Sequence, residues 1–120
     1  MPSRVVSAQD LDKPIVAKKS LSASNDGTLR TVIDTEFGTV VTDEPIPHGG
    51  TGTAPSPLQI VLAALCGCEG ITFNRTAAEL DFPYEGIDFR GSYTIDTRGR
   101  MGNREVKPHF QTVRLEARVF

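Results

Sequence analysis

Residues 56–80 read SPLQIVLAALCGCEGITFNRTAAEL, and this stretch decides the fold. Ser56 is placed to cap a helix. Pro57 suits the first helical position, where its missing N–H would have no partner, and Gln59 completes a capping box. Apolar residues then recur at Leu58, Val61, Leu62, Leu65, Cys66, Ile71, Phe73, Ala77 and Leu80, and the pattern stops before Pro83. The spacing predicts a helix from residue 57 to about 80, apolar nearly all round and therefore covered on several sides. Gly67 and Gly70, one turn apart, each cost about 1 kcal/mol of helix propensity relative to Ala, so a close helix contact at these positions is the expected compensation.

Upstream of this helix, residues 43–57 (DEPIPHGGTGTAPSP) hold four prolines and three glycines in fifteen positions, a composition no helix or central strand tolerates. Before that loop, Pro14–Ser24, Thr28–Phe37 and Thr39–Thr42 read as strands, with Asn25-Asp26-Gly27 turning the chain between the first two. Downstream, Ile87–Asp96 and Pro108–Val119 read as a hairpin, the second strand alternating through Val113, Leu115, Ala117 and Val119. The hairpin tip carries Arg98, Arg100, Arg104 and Lys107 and reads as a solvated basic loop. Residues 1–13 show no period and are expected to form a loose arm. The whole reads as one α+β domain over residues 1–120, an antiparallel sheet from 14–42 and 87–119 packed on the helix.

Composition narrows the function. With 120 residues, 38% hydrophobic and 23% charged, the chain is globular rather than disordered, and one core is all it can build. A formal charge of −2 supplies no basic field for a nucleic-acid duplex. The longest unbroken apolar run, Ile60–Cys66, is seven residues, short of the roughly 18 to 20 that cross a bilayer. Neither nucleic acid nor membrane is expected as a partner, and with no apolar stretch near Arg4 to serve as a secretory signal the cytoplasm is the expected compartment. His48 and His109 are the only histidines, and no second Cys or His pair stands near Cys66 and Cys68, so no metal and no cofactor is expected.

On a helix, residues two apart point about 200° from one another, so Cys66 and Cys68 cannot share a face or close a bond. Cys68 shares its side with Val61, Ala64, Leu65, Ile71, Thr72 and, two turns on, Arg75. Cys66 shares its side with Leu62, Ala63, Gly70 and Phe73 and reads as a core thiol.

Gly49-Gly50 followed by Ala54-Pro55-Ser56-Pro57-Leu58-Gln59-Ile60-Val61-Leu62-Ala63-Ala64-Leu65-Cys66-Gly67-Cys68 resembles the proline-opened, Cys-bearing helix of the OsmC/Ohr family, the osmotically inducible and organic hydroperoxide resistance proteins. The order of elements is similar too: strands, a Pro/Gly loop, the Cys-bearing helix, a strand pair. The resemblance covers roughly residues 14–120. It implies thiol peroxidase chemistry on organic hydroperoxides with Cys68 as the peroxidatic thiol, an external dithiol as reductant, and an intertwined homodimer with the Cys at the subunit interface. It also implies an arginine held against the thiolate. Arg30 falls loosely in the region from which relatives bring it, and Arg75 lies on the Cys68 face. Peroxidase members usually have a Glu in the first helical turn to hold that arginine, and Leu58 stands here. Relatives continue into a second helix, which in peroxidase members bears a resolving Cys, so the natural chain is expected to run beyond Phe120. The alternative is an OsmC-like stress or small apolar-ligand-binding protein with both thiols inert.

Peroxidase chemistry requires a thiolate. At a free pKa of about 8.5 roughly 3% of a thiol is ionised at pH 7, against about 90% at a pKa near 6, a difference of roughly 3 kcal/mol. The helix dipole cannot supply it, because Cys68 lies about 18 Å along the axis from the Ser56 cap and the effect fades within one turn. A cation has to be brought to the thiol.

Overall fold

The computed structural model describes residues 11–120; residues 1–10 of the expected arm lie outside the described residues. The elements run β1 (Ser22–Asn25), β2 (Thr31–Thr35), β3 (Gly38–Thr42), α1 (Pro57–Glu79), β4 (Ile87–Ile95) and β5 (Phe110–Val119), an α+β architecture. Short 3-10 turns lie at Ile46–His48 and Thr97–Gly99. The strands form two antiparallel sheets, ordered β1-β2-β3 and β4-β5, rather than the single sheet expected. Alternation marks a segment as a strand without naming its pairing partner. The first strand is also shorter than expected. Pro14 and the lysines precede a paired segment of only four residues, and Ile15, Val16 and Leu21 are exposed.

The described chain divides into two compact units, one ending at Val61 and the other running from Leu62 to Phe120. In the first, the Asn25 side chain organises the expected turn: its Oδ1 accepts from Gly27 N at 2.8 Å, and its Nδ2 donates to the carbonyls of Thr28 at 2.8 Å and Arg30 at 3.0 Å. In register, Val32 stands between Ser24 and Val41, and Ile33 between Ala23 and Val40. The described residues buried in this unit are all polar, Thr42, Asp43 and Ser56. Its order comes from hydrogen bonds at the start of the Pro/Gly loop more than from an apolar core.

In the second unit β4 alternates strictly, with Ile87, Phe89, Gly91, Tyr93 and Ile95 half-buried and the residues between them exposed. Opposite them stand Val119, Ala117, Leu115, Val113 and Phe110. This apolar face takes one side of α1. Leu62 lies against Gly91, where an added Cβ would be 3.0 Å from its Cγ, and Gly70 lies 3.7 Å, at its Cβ position, from the Phe89 ring. Beyond α1, Phe73 packs edge-on against Tyr84 at 4.9 Å and Phe82 at 6.2 Å, holding the returning chain to the helix. The helix ends in a Schellman turn: Phe82 N donates to the Ala77 carbonyl at 2.8 Å and Asp81 N to that of Ala78 at 3.4 Å, with Asp81 at φ 50°.

Candidate functional site around the two helix cysteines

The start of α1 is fixed as the sequence predicts. Ser56 N donates to Gln59 Oε1 at 2.9 Å and Gln59 N to Ser56 Oγ at 3.3 Å, a reciprocal capping box. Leading into it is a device that sequence reasoning missed. The Asp43 side chain is fully buried, and it accepts from Glu44 N at 2.8 Å and from the N–H and hydroxyl groups of both Thr51 and Thr53. The Thr51 hydroxyl above all, with these backbone donors, holds the carboxyl far below the usual carboxylate range although burial opposes it. Asp43 N also donates to the Pro55 carbonyl at 2.9 Å, closing the ends of the loop. Gly50 must stay glycine here, because a Cβ would run into the Glu44 carbonyl and lie 2.8 Å from the Asp43 carboxylate. The available signal was an acid opening a Pro/Gly loop whose threonines are Thr51 and Thr53.

Where α1 carries its cysteines, the rotation set by Leu62 and Gly70 decides their surroundings. Cys66 stands between them in the i, i+4 row facing β4 and is half-buried, whereas Cys68 is exposed. The side of Cys68 also exposes Leu65 (37%) and Ile71 (54%), so the thiol sits in an apolar strip of helix surface. The two glycines separate as well. Gly70 is occupied by Phe89 of its own hairpin, while nothing lies within 4 Å of the Cβ position at Gly67. By length and composition alone α1 is apolar enough to cross a bilayer, although its longest unbroken apolar run is short. One side of it is nevertheless matched to the hairpin, through Leu62 and Gly70.

Arg75 is exposed two turns beyond Cys68, about 10 Å along the axis, and makes no ion pair among the described residues. Arg30 immediately precedes β2 in the unit that ends at Val61. Its backbone N donates to Thr28 Oγ1 at 3.1 Å and its carbonyl accepts from Asn25. Arg30 and Cys68 thus belong to different units. Asn74 Nδ2 donates to the Gly70 carbonyl at 2.8 Å and its Oδ1 accepts from the Tyr84 hydroxyl, bracing the helix one turn past the thiol. Among the described residues no group of three or more His, Cys, Asp or Glu side chains is placed to hold a metal ion.

A capped helix carrying one outward and one inward thiol, followed by an antiparallel hairpin that grips its inward side, defines a class of α+β thiol-bearing domains. The family model for OsmC-like protein matches residues 50–120, which span the second half of the loop, α1 and the hairpin. The chain belongs to the OsmC-like protein family. Its fold is similar to the crystal structure of a Psychrobacter arcticus 273-4 protein described as a candidate osmotic stress induced and detoxification response protein. The TM-score is 0.68 at 16% identity, over 88% of this chain and 72% of that one. Among curated protein sequences none matches the chain.

Proposed function

We propose that this chain is a cytoplasmic stress-response peroxidase that reduces organic hydroperoxides through Cys68 and works as a homodimer. The observation that carries the reading is the contrast between the thiols: Cys68 is exposed on an apolar strip of α1, and Cys66 is turned toward its own hairpin. In the reaction the Cys68 thiolate attacks the terminal oxygen of the hydroperoxide. The S–O bond forms as the O–O bond breaks, and the alkoxide takes up a proton and leaves as an alcohol. The sulfenic acid is then reduced by an external dithiol, which leaves as a disulfide with release of water. The apolar strip suits the organic group of the substrate, and a second copy over it would exclude water and supply the missing wall. Arg75, or Arg30 brought by a covering element, is the proposed cation beside the thiolate.

One observation favours the non-catalytic reading, in which the domain holds a small apolar ligand. Leu58 replaces the acidic residue of the first turn, and α1 has no acidic residue there to hold an arginine. Sulfenate trapping after one equivalent of an organic hydroperoxide separates the two. Labelling of Cys68 and not Cys66 is expected, with peroxide consumption abolished by Cys68→Ser and kept by Cys66→Ser. Equal labelling of both thiols, or of neither, overturns the peroxidase reading and leaves the ligand-binding domain.

A further inference from the structure

Charge is divided unevenly along the chain. Residues 87–119, the β4–β5 hairpin, hold seven cations against four carboxylates, and all other residues hold six against eleven, so a chain of net charge −2 carries a hairpin of +3. The kind of cation differs as well. Six of the nine arginines lie in the hairpin, but only one of the four lysines, Lys107. A face that only has to stay wet gains nothing from arginine over lysine. Arginine presents a planar fork that takes a carboxylate through two hydrogen bonds, and it is enriched where proteins meet, whereas lysine is depleted there.

Phe89 and Gly91 meet α1, so the residues alternating with them, Asp88, Arg90, Ser92 and Thr94, stand on the face of β4 turned away from the helix. Opposite them on β5 stand Arg118, Glu116, Arg114 and Thr112, and all eight are exposed. Arg118 lies 3.5 Å from Asp88 and 5.4 Å from the centre of the Phe120 ring, and Arg114 pairs with Glu116 at 2.6 Å. With Glu116 turned to Arg114, the facing Arg90 makes no ion pair among the described residues. Beyond this ladder is the hairpin tip. There Arg98 is held by Asp96, Arg100 is exposed, and Arg104, Glu105 and Lys107 are exposed and make no ion pair among the described residues. The tip is braced: Asn103 N donates to the Arg98 carbonyl at 3.0 Å, and a Cβ on Gly99 would lie 2.6 Å from the Val106 carbonyl oxygen. The aromatic rings of the two strands belong to the inward set, where those of Tyr93 and Phe110 lie 5.0 Å apart.

We propose that the outer face of this hairpin, with its tip, docks an acidic protein partner, an exposed run of Asp and Glu whose carboxylates take the guanidinium forks of Arg90, Arg114 and Arg118. Two observations favour a protein over a nucleic acid. Asp88 and Glu116 stand among the arginines, an arrangement of mixed sign that suits a patterned protein surface and opposes an unbroken phosphate backbone. No ring of the outward set offers a base a surface on which to stack. From Asp88 to Thr94 the ladder is about 20 Å long and only two strands wide, less than a permanent interface needs, so the complex is weak, sensitive to salt and quick to exchange. Because the face is turned away from α1, a partner bound there leaves Cys68 exposed, and the inference stands whether that thiol is peroxidatic or inert.

The test is fluorescence polarisation of a labelled twelve-residue peptide of alternating Asp and Glu, titrated with the full chain at 50 and 300 mM NaCl, beside a twelve-nucleotide single-stranded DNA carrying the same label. The peptide should bind with a Kd of about 10–100 μM at the lower salt and about fivefold or more weaker at the higher. Arg90→Gln with Arg114→Gln, checked for an unchanged circular dichroism spectrum, should weaken it about tenfold. Arg90→Lys with Arg114→Lys keeps the charge and loses the fork, and should still weaken it about threefold or more. Alkylation of Cys68 by iodoacetamide should run at the same rate with and without saturating peptide. No binding at 500 μM chain and 50 mM NaCl, a lysine pair as tight as the parent, or DNA bound as tightly as the peptide overturns the proposal. Slowed alkylation of Cys68 overturns the placement of the partner on the outer face. None of these results bears on the peroxidase reading, which the sulfenate experiment decides by itself.

Discussion

Gly91→Ala tests the contact that sets the rotation of α1. An added methyl would lie 3.0 Å from Leu62 Cγ and 3.1 Å from both of its Cδ atoms. Ordinary carbon contacts lie at about 3.5–4.0 Å, so three contacts are short by about half an ångström, and such overpacking costs about 1–3 kcal/mol. Against it, Ala restricts the unfolded chain and suits a strand better, a gain of about 0.5–1 kcal/mol. The net expectation is a loss of about 1–2 kcal/mol. Leu62→Ala alone should cost about 1–3 kcal/mol, less than a fully buried leucine because Leu62 is half-buried. In the Leu62→Ala background the new methyl has room, so Gly91→Ala becomes neutral or slightly stabilising and the two changes couple by about 1.5–2.5 kcal/mol. Urea denaturation followed by far-ultraviolet circular dichroism at one protein concentration reads all four corners of the cycle. A stabilised single Gly91→Ala, or additivity within about 0.5 kcal/mol, would refute the packing of Leu62 on Gly91 and with it the inward orientation of Cys66.

Asp81→Gly should stabilise the chain by about 0.5–1 kcal/mol in the same urea assay, because Asp81 holds φ 50° at the Schellman position that glycine occupies without strain. Asp43→Asn should destabilise the fold at neutral pH and flatten the acid side of its stability curve. A carboxyl whose folded pKa is depressed contributes fully above its unfolded value and loses that contribution as pH falls through the folded one. For Asp43 the loss begins below about pH 4 and runs into strong acid, and melting temperatures of the two proteins from pH 2 to 7 should converge downward. Asp96, held down to about 2 by the Arg98 guanidinium, has the same sign, so Asp96→Asn should narrow the change in melting temperature between pH 5 and pH 2. Cys66→Ser should cost about 1 kcal/mol in the urea assay through altered packing at a half-buried position, while Cys68→Ser should leave stability nearly unchanged.

The parts of the fold written in local pattern were legible. Ser56, Pro57 and Gln59 marked the start of α1 to the residue, and the alternation through Val113, Leu115, Ala117 and Val119 marked β5. What depended on distant partners was not. The Asp43 carboxylate meets hydroxyls eight and ten residues away across a loop, and no periodicity announces that closure. The division of the strands into two sheets is likewise a matter of pairing, which alternation leaves undetermined. At the thiols, helical geometry alone separated Cys66 from Cys68. The residues sharing its side also marked Cys66 as the inward one, and that side is where Gly91 and Phe89, far along the chain, meet the helix. The arginine is the residue the sequence could least supply, since Arg30 and Arg75 are both exposed cations with no local feature that ties either to sulfur.

That last difficulty has a physical root. Cys68 lies too far from the N-terminus of α1 to draw on its dipole, and Arg75 stands about 10 Å along the axis. Leaning back, as helical side chains do, an arginine covers much of that distance, but across a solvated surface its charge is screened and the interaction is weak. The same guanidinium in a water-excluded contact gains severalfold in effect, because the effective dielectric falls from that of water toward that of protein. An element laid over Leu65, Cys68 and Ile71 would therefore do two things at once: bury the apolar strip and strengthen any cation beside the thiol. If the chain is the homodimeric peroxidase proposed above, assembly and activation are one event, and peroxide consumption per chain should fall on dilution in step with dissociation of that proposed dimer. A rate per chain that stays constant while the dimer comes apart would show that Cys68 is activated within its own chain.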